Sequence, residues 1–336
     1  MELVARALLS APQQSPYPQL RYHSDPLLGF VLAPEQHAFN ADQPVTINAR
    51  GLRGPLTPYE RVPGRRRLLF LGDSITFGWG VRDDDVVTAR VAALLGEAGI
   101  TAEVINTGVP GYNAEQEVTY LEHAGLRYAP DWVIVGVYWN DINDHTESRV
   151  DARGELVSRA AGWRAPLARA WQSETSYAVR NTLKRSRLLW AAREGWLALL
   201  ATFTPDPYRA FRDDVLEGRA TGEVEQGWQH LESAMRRIAM LAGRHGFAPL
   251  LVSFPIPLML ERSFPRSSYP ARLHAVAARA GIPLLDLEPA FRAAYRGHDS
   301  LFHPYDASHP NAAGHAIAAT EIVRFLLAAG ERTAAE

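Results

Sequence analysis

Five short, almost unbroken apolar runs constrain this chain more than anything else in it: "RLLFLG" (67–72), "AEVINT" (102–107), "WVIVGVYW" (132–139), "APLLVSF" (248–254) and "IPLLDL" (282–287). Alternating runs would leave one strand face wet, whereas continuous ones predict strands covered on both faces, as in a parallel sheet. Helical patterns lie between them. "DVVTARVAALLGEAG" (85–99) follows acidic residues and ends at glycine, as the helix dipole and a C-terminal cap require. Stretches 114–128, 227–246, 270–281 and 311–330 behave similarly. Strand and helix in alternation predict an α/β protein: a three-layer α/β/α, flavodoxin-like parallel sheet of about five strands.

Two segments fall outside this rhythm. Residues 1–66 are rich in proline, and "DPLLGFVLAP" and "PVTINARGLRGP" predict an N-terminal extended or β segment packed on the core. Residues 145–226 carry Trp163, Trp171, Trp190 and Trp196 among amphipathic helical patterns. They are expected to form a helical insertion, a lid or subdomain, since so long a connection without structure is implausible. The core is then assigned to 67–144 and 227–330.

Charge and composition remove several classes. A net charge of -2 gives no basic excess for nucleic acid. The runs "RRR" (65–67) and "DDD" (83–85) read as a solvated strand start and a helix first turn. With no cysteine, disulfides, thiolate nucleophiles and cysteine-ligated zinc are all excluded. "MELVARALLSAPQQ" makes a poor secretory signal, and no apolar run approaches the ~18–20 residues that cross a bilayer. The expectation is a soluble, cytoplasmic protein. Neither G-x-G-x-x-G nor a P-loop is present, which counts against a flavodoxin-like nucleotide binder.

Ligands of open parallel sheets bind beyond the carboxyl ends of strands. Three of those ends carry "GDS", "NTGVPGYN" and "YWND". Ser74 alone is a weak nucleophile that needs a base, and "GDS" alone reads first as ordinary turn chemistry. A base is offered by "YDASHPNAAGHA", where Asp306 stands three residues before His309 and can orient its imidazole. Helix-start chemistry accounts for the same residues. His303 competes but has Ser300 at the matching spacing, and His315 falls inside the last helix. The backbone N–H of Gly111 and the amide of Asn140 are candidate oxyanion donors, with a plain turn and a helix cap as the alternatives.

Taken together and in this order, these blocks resemble the SGNH hydrolase superfamily, often called GDSL esterases/lipases. The resemblance covers about residues 67–143 and 245–330 and implies the SGNH hydrolase fold. It implies Ser74 as nucleophile and first oxyanion donor, Gly111 as the backbone donor (Gly108 the alternative), Asn140 as the side-chain donor, and Asp306 and His309 as the rest of a Ser-His-Asp triad. One departure stands out: the family's usual glycine two residues before the asparagine is Tyr138, expected to alter pocket shape.

The implied function is a serine esterase or acylhydrolase acting through an acyl-enzyme. The expected substrate carries a short acyl group such as acetyl on a carbohydrate or metabolite, because no lipase-like apolar surface stretch is legible. Alternatives are an O-acyltransferase using the same triad, or a non-catalytic binding protein on this fold. Trp79, Tyr112, Asn113, Tyr138 and Trp139 flank the motifs and are candidate pocket residues, although core packing accounts for aromatics of this kind too. Arg53 in "NARGLRG" is a candidate for binding an anionic group. No metal, cofactor, nucleic acid or membrane span is expected.

Overall fold

The described part of residues 1–66 includes the helix Glu2–Leu8 and two antiparallel hairpins: β1 (Tyr22–Asp25) with β2 (Gly29–Leu32), and β3 (Gln36–Asn40) with β4 (Gln43–Ile47). The computed structural model describes every residue except 10–11, 143–147, 159–173, 202–206, 262–267, 307 and 336. The hairpins bury Tyr22, Phe30, Leu32, Val45 and Ile47 in one cluster with Phe77, Val109 and Tyr112. Those last three residues follow the first two core strands. The N-terminal segment therefore packs against the loops that carry the candidate motifs.

The core sheet holds β5 (Arg66–Leu71), β6 (Ala102–Asn106) and β7 (Trp132–Val137). After the hairpin β8 (Ser148–Val150) and β9 (Leu156–Ser158) come β10 (Ala248–Ser253) and β11 (Leu284–Asp286). All five core strands run parallel in the order β11-β10-β7-β5-β6. Leu69, Val133, Ile134, Val135, Leu250 and Leu251 are sealed from solvent, as strands covered on both faces must be. Because β6 lies on one side of β5 and β7 on the other, the strand order reverses there. That reversal opens a crevice at the carboxyl ends of β5 and β7.

Helices Val87–Glu97, Ala114–His123, Gly222–His245, Tyr269–Ala280 and Ala312–Ala335 flank the sheet. Gly222–His245 begins earlier than its apolar pattern because the Thr221 side chain accepts the Val224 N–H, an N-cap that a hydrophobic period does not reveal. The expected boundary at 226/227 thus falls inside this helix. Ala312–Gly330 is apolar and long enough, by composition alone, to cross a membrane (mean hydropathy 1.3), unlike any run expected from the sequence. It packs on Val87–Glu97 and buries Ala318, Ala319 and Ile322, as a core helix does. His315 joins the two helices by accepting the Val87 N–H at 3.2 Å. Burial and nearby cationic side chains, Arg53 first, push its imidazole down to about 3, so it stays neutral.

One charge run is not solvated as expected. Arg67 is fully buried, with Nε and Nη2 2.8 and 2.6 Å from Glu103 Oε2 and further bonds to three backbone carbonyls. Desolvating an arginine is tolerable only with its donors matched this completely.

The segment after β7 contributes the β8–β9 hairpin and helices Glu174–Lys184, Arg187–Ala201 and Pro207–Glu217. Trp163 and Trp171 lie outside the described residues. Glu2 caps Arg187–Ala201, accepting the Arg187 N–H at 3.0 Å and the Ser186 hydroxyl at 2.7 Å. Around this junction Leu3, Leu8, Val179, Leu189, Trp196 and Leu199 are exposed. Helices remote in sequence thus each contribute apolar surface, which is why no single stretch announced it.

Candidate active site

Gly72 ends β5 where any side chain would collide: an added Cβ would stand 2.0 Å from Thr76 Oγ1. Asp73 caps the short helix Ser74–Phe77 by accepting the Ile75 N–H at 2.8 Å. Ser74 is thereby the first helical residue, at the carboxyl end of β5 beside the crevice. Its N–H has no acceptor among the described residues.

The second component arrives from the far end of the chain. Asp306 Oδ1 accepts the N–H groups of Ser308 and His309, which curls the backbone so that Oδ2 meets His309 Nδ1 at 2.6 Å. A carboxylate at that nitrogen places the proton on Nδ1 and leaves Nε2 to accept. Nε2 lies 2.8 Å from Ser74 Oγ. Burial works against charge on Asp306, but the His309 hydrogen bond and charge and the two backbone N–H groups hold its carboxyl below the usual range. The Trp79 ring packs against the imidazole, centroids 5.8 Å apart.

The competing histidine serves elsewhere. His303 Nε2 meets the Trp79 carbonyl at 3.1 Å, and Nδ1 accepts the Tyr305 hydroxyl at 3.1 Å. Both ring nitrogens are engaged, one of them in holding the Trp79 turn.

Of the two candidate glycines, Gly108 donates its N–H to Asn106 Oδ1 at 3.0 Å, and an added Cβ would meet the Phe77 nitrogen at 2.5 Å. It is a packing glycine. Gly111, at φ +92°, lines the cleft, and its N–H has no acceptor among the described residues. Asn140 donates one amide N–H to Asp73 Oδ2 at 2.7 Å, an oxygen also 3.5 Å from Ser74 Oγ. The Asn140 amide and the Ser74 hydroxyl therefore flank one carboxylate, with the second amide N–H left over.

The sequence profile of the GDSL-like lipase/acylhydrolase family matches residues 70–317, well over half the chain. The chain belongs to that family. It is thus a serine hydrolase of the esterase type. Among solved structures, an acetylxylan esterase from Geobacillus stearothermophilus is similar at 17% identity, covering 77% of this chain and 93% of that one, with a TM-score of 0.44. A two-domain esterase active on acetylated mannans is similar at 16% identity, covering 78% and 49%, with a TM-score of 0.44. No curated protein matches.

The acylhydrolase's departure at Tyr138 has a structural consequence. The Tyr138 hydroxyl donates to the Ser308 carbonyl at 3.1 Å, one residue before His309, while its own N–H is held by Asp141 Oδ2 at 2.6 Å. The residue tethers the histidine loop to the end of β7, rather than merely reshaping a pocket. Tyr138→Phe is expected to lower kcat three- to tenfold with little change in KM. The stability cost should be near 1 kcal/mol, the net worth of one such bond. An unchanged kcat in steady-state kinetics would refute the tether.

Beneath Asn140 lie two further acids. Burial raises the carboxyls of Asp141 and Glu117 well above their usual range, Asp73 adding to both and Asp141 to Glu117. Asp73 is also raised by burial, against the hydrogen bonds from Asn140 and Ile75.

The cleft over Ser74 has a volume of about 390 Å³, within the range of small-ligand sites. Of the expected pocket residues, Trp79 lines it and the others do not. Tyr112 is buried with its hydroxyl on the Phe30 carbonyl at 2.7 Å, stapling the N-terminal segment. Asn113 forms a capping box with Gln116 at the start of Ala114–His123. Trp139 is buried in the core. Arg53 cannot take an anion: its guanidinium donates to Asp83 and to the Phe77, Gly78 and Val81 carbonyls. It locks the turn after the Ser74 helix instead.

The cleft is walled by Gln19, Tyr22 and Phe39 from the N-terminal segment, and by Glu155, Leu156 and Tyr177 from the insertion. Sequence reasoning missed all six. None adjoins a motif, and only the packing of the two added segments brings them over Ser74.

Proposed function

We propose that Ser74 is the nucleophile, His309 the general base and acid, and Asp306 the group that orients the imidazole. The carrying observation is the relay of 2.6 and 2.8 Å contacts joining three side chains from opposite ends of the chain. His309 Nε2 takes the Ser74 proton as Oγ attacks the ester carbonyl. The developing oxyanion is received by the N–H groups of Ser74 and Gly111 and the free amide N–H of Asn140. His309 then protonates the leaving alcohol, and water repeats the cycle to release the acid.

The substrate is a short acyl ester, acetyl above all, of a carbohydrate or similarly polar metabolite. Aromatic faces at Tyr22, Phe39, Trp79 and Tyr177, interrupted by Gln19 and Glu155, favour a compact polar alcohol over a long acyl chain. The test is a series of p-nitrophenyl esters from acetate to palmitate beside fluorophosphonate labelling. Labelling of Ser74, with kcat/KM greatest at acetate or butyrate and at least tenfold lower by octanoate, is expected. An optimum at octanoate or beyond would overturn the short-acyl assignment and implicate the apolar surface. Failure to label would overturn the triad itself.

A further inference from the structure

The cleft wall contributed by the insertion contains a charged atom without a hydrogen-bond partner among the described residues. Glu155 lines the same cleft as Ser74 and His309 and is only 6% exposed. Its Oε1 accepts from Arg21 Nη1 at 3.0 Å, but Oε2, equally shielded from water, has no hydrogen-bond partner among the described residues. Arg180 stacks on Tyr177, another cleft residue, with its guanidinium carbon 4.3 Å from the ring centroid. Arg180 Nε and Nη2 are likewise buried and without a partner among the described residues. Burial raises the Glu155 carboxyl, while the charge of Arg21, and to a lesser degree that of Arg180, opposes it.

Buried charged groups of folded proteins are almost always hydrogen-bonded, because desolvation is otherwise uncompensated. Here one acceptor on a cleft residue, and two donors on the arginine stacked against another, remain unmatched among the described residues. A hydroxyl donates and accepts at once, so a group bearing neighbouring hydroxyls complements this set. An anion would be opposed by Glu155, and a cation by Arg21 and Arg180. An alkyl or aryl alcohol would leave the whole set unpaired.

We infer that Glu155 and Arg180, with Tyr177 between them, form a subsite for the hydroxyl groups of a neutral polyol or sugar, the alcohol half of the ester. This rests on the reading of Ser74 as the nucleophile. Sites built to hydrogen-bond a hydroxyl discriminate strongly against analogues lacking it, since their own polar groups are left unpaired.

The experiment compares kcat/KM for a monoacetylated methyl glucoside with that for p-nitrophenyl acetate, in the wild type, Glu155→Gln and Arg180→Gln. Each variant is expected to lower the glucoside-to-aryl ratio at least tenfold, equivalent to about 1.4 kcal/mol of discrimination. The loss should fall mainly in KM for the glucoside. A ratio unchanged in both variants would overturn the subsite, since a purely structural role lowers both substrates together. Wild-type protein that cleaves the aryl ester but not the glucoside would overturn the subsite while leaving the Ser74 reading intact. Wild-type protein that cleaves neither would overturn both.

Discussion

Ser74→Ala is expected to lower kcat/KM on p-nitrophenyl acetate by about 10⁴-fold or more and to abolish fluorophosphonate labelling, with melting unchanged within about 2 °C. The magnitude follows from what the hydroxyl does. Without it no acyl-enzyme can form, and what remains is the modest help an oxyanion hole gives to attack by water. Folding should be spared because, among the described residues, the Ser74 hydroxyl bonds only His309 and, at 3.5 Å, the Asp73 carboxylate, while Asp73 does the capping. Activity above one-hundredth of wild type in Ser74→Ala would refute this assignment of the nucleophile.

Asn140→Ala should produce the next largest loss, 10²- to 10³-fold in kcat with KM nearly constant. That corresponds to about 2.7–4 kcal/mol for one oxyanion donor removed. The donor is aimed by its bond to Asp73 Oδ2 at 2.7 Å, which holds the amide beside the serine before substrate arrives. Asn140→Asp should be worse than alanine despite its matching shape. It would place a second carboxylate against the buried one of Asp73 and turn a donor into a repulsive acceptor. Single-turnover acylation rates and melting curves for the two variants check this ranking. A kcat for Asn140→Ala within threefold of wild type would remove Asn140 from the oxyanion hole.

Much of the architecture was legible because its signals are local. Each of the five apolar runs became a strand within about three residues of its expected limits, since a doubly covered parallel strand writes its burial directly into composition. The groups proposed to react were legible for a related reason. Gly72, Asp73 and Ser74 are adjacent, and Asp306 and His309 are three apart, so each fragment carries its own turn chemistry. Choosing His309 over His303 rested on that three-residue spacing, and in the fold it is His309 Nε2 that lies 2.8 Å from Ser74 Oγ.

Aromatic and charged residues beside the motifs were a poor guide. Tyr112, Asn113 and Trp139 sit next to motif residues yet face the core or cap a helix. Arg53 reaches the turn after Ser74 only to be absorbed by backbone carbonyls. Proximity along a chain says little about direction: a residue one step from a strand end points to either face.

By itself, then, the amino-acid order determined the sheet, its flanking helices and the candidate reacting groups, because periodicity, capping and short turns act over a few neighbouring residues. Tertiary structure alone decided what surrounds them. Glu155, Tyr177 and Phe39 become walls of one cleft only after a hairpin segment and an insertion fold over the carboxyl edge of the sheet. Tyr138 becomes a tether only when the last loop returns beside β7. Such contacts join residues far apart in the chain, and no local pattern encodes the distance between them.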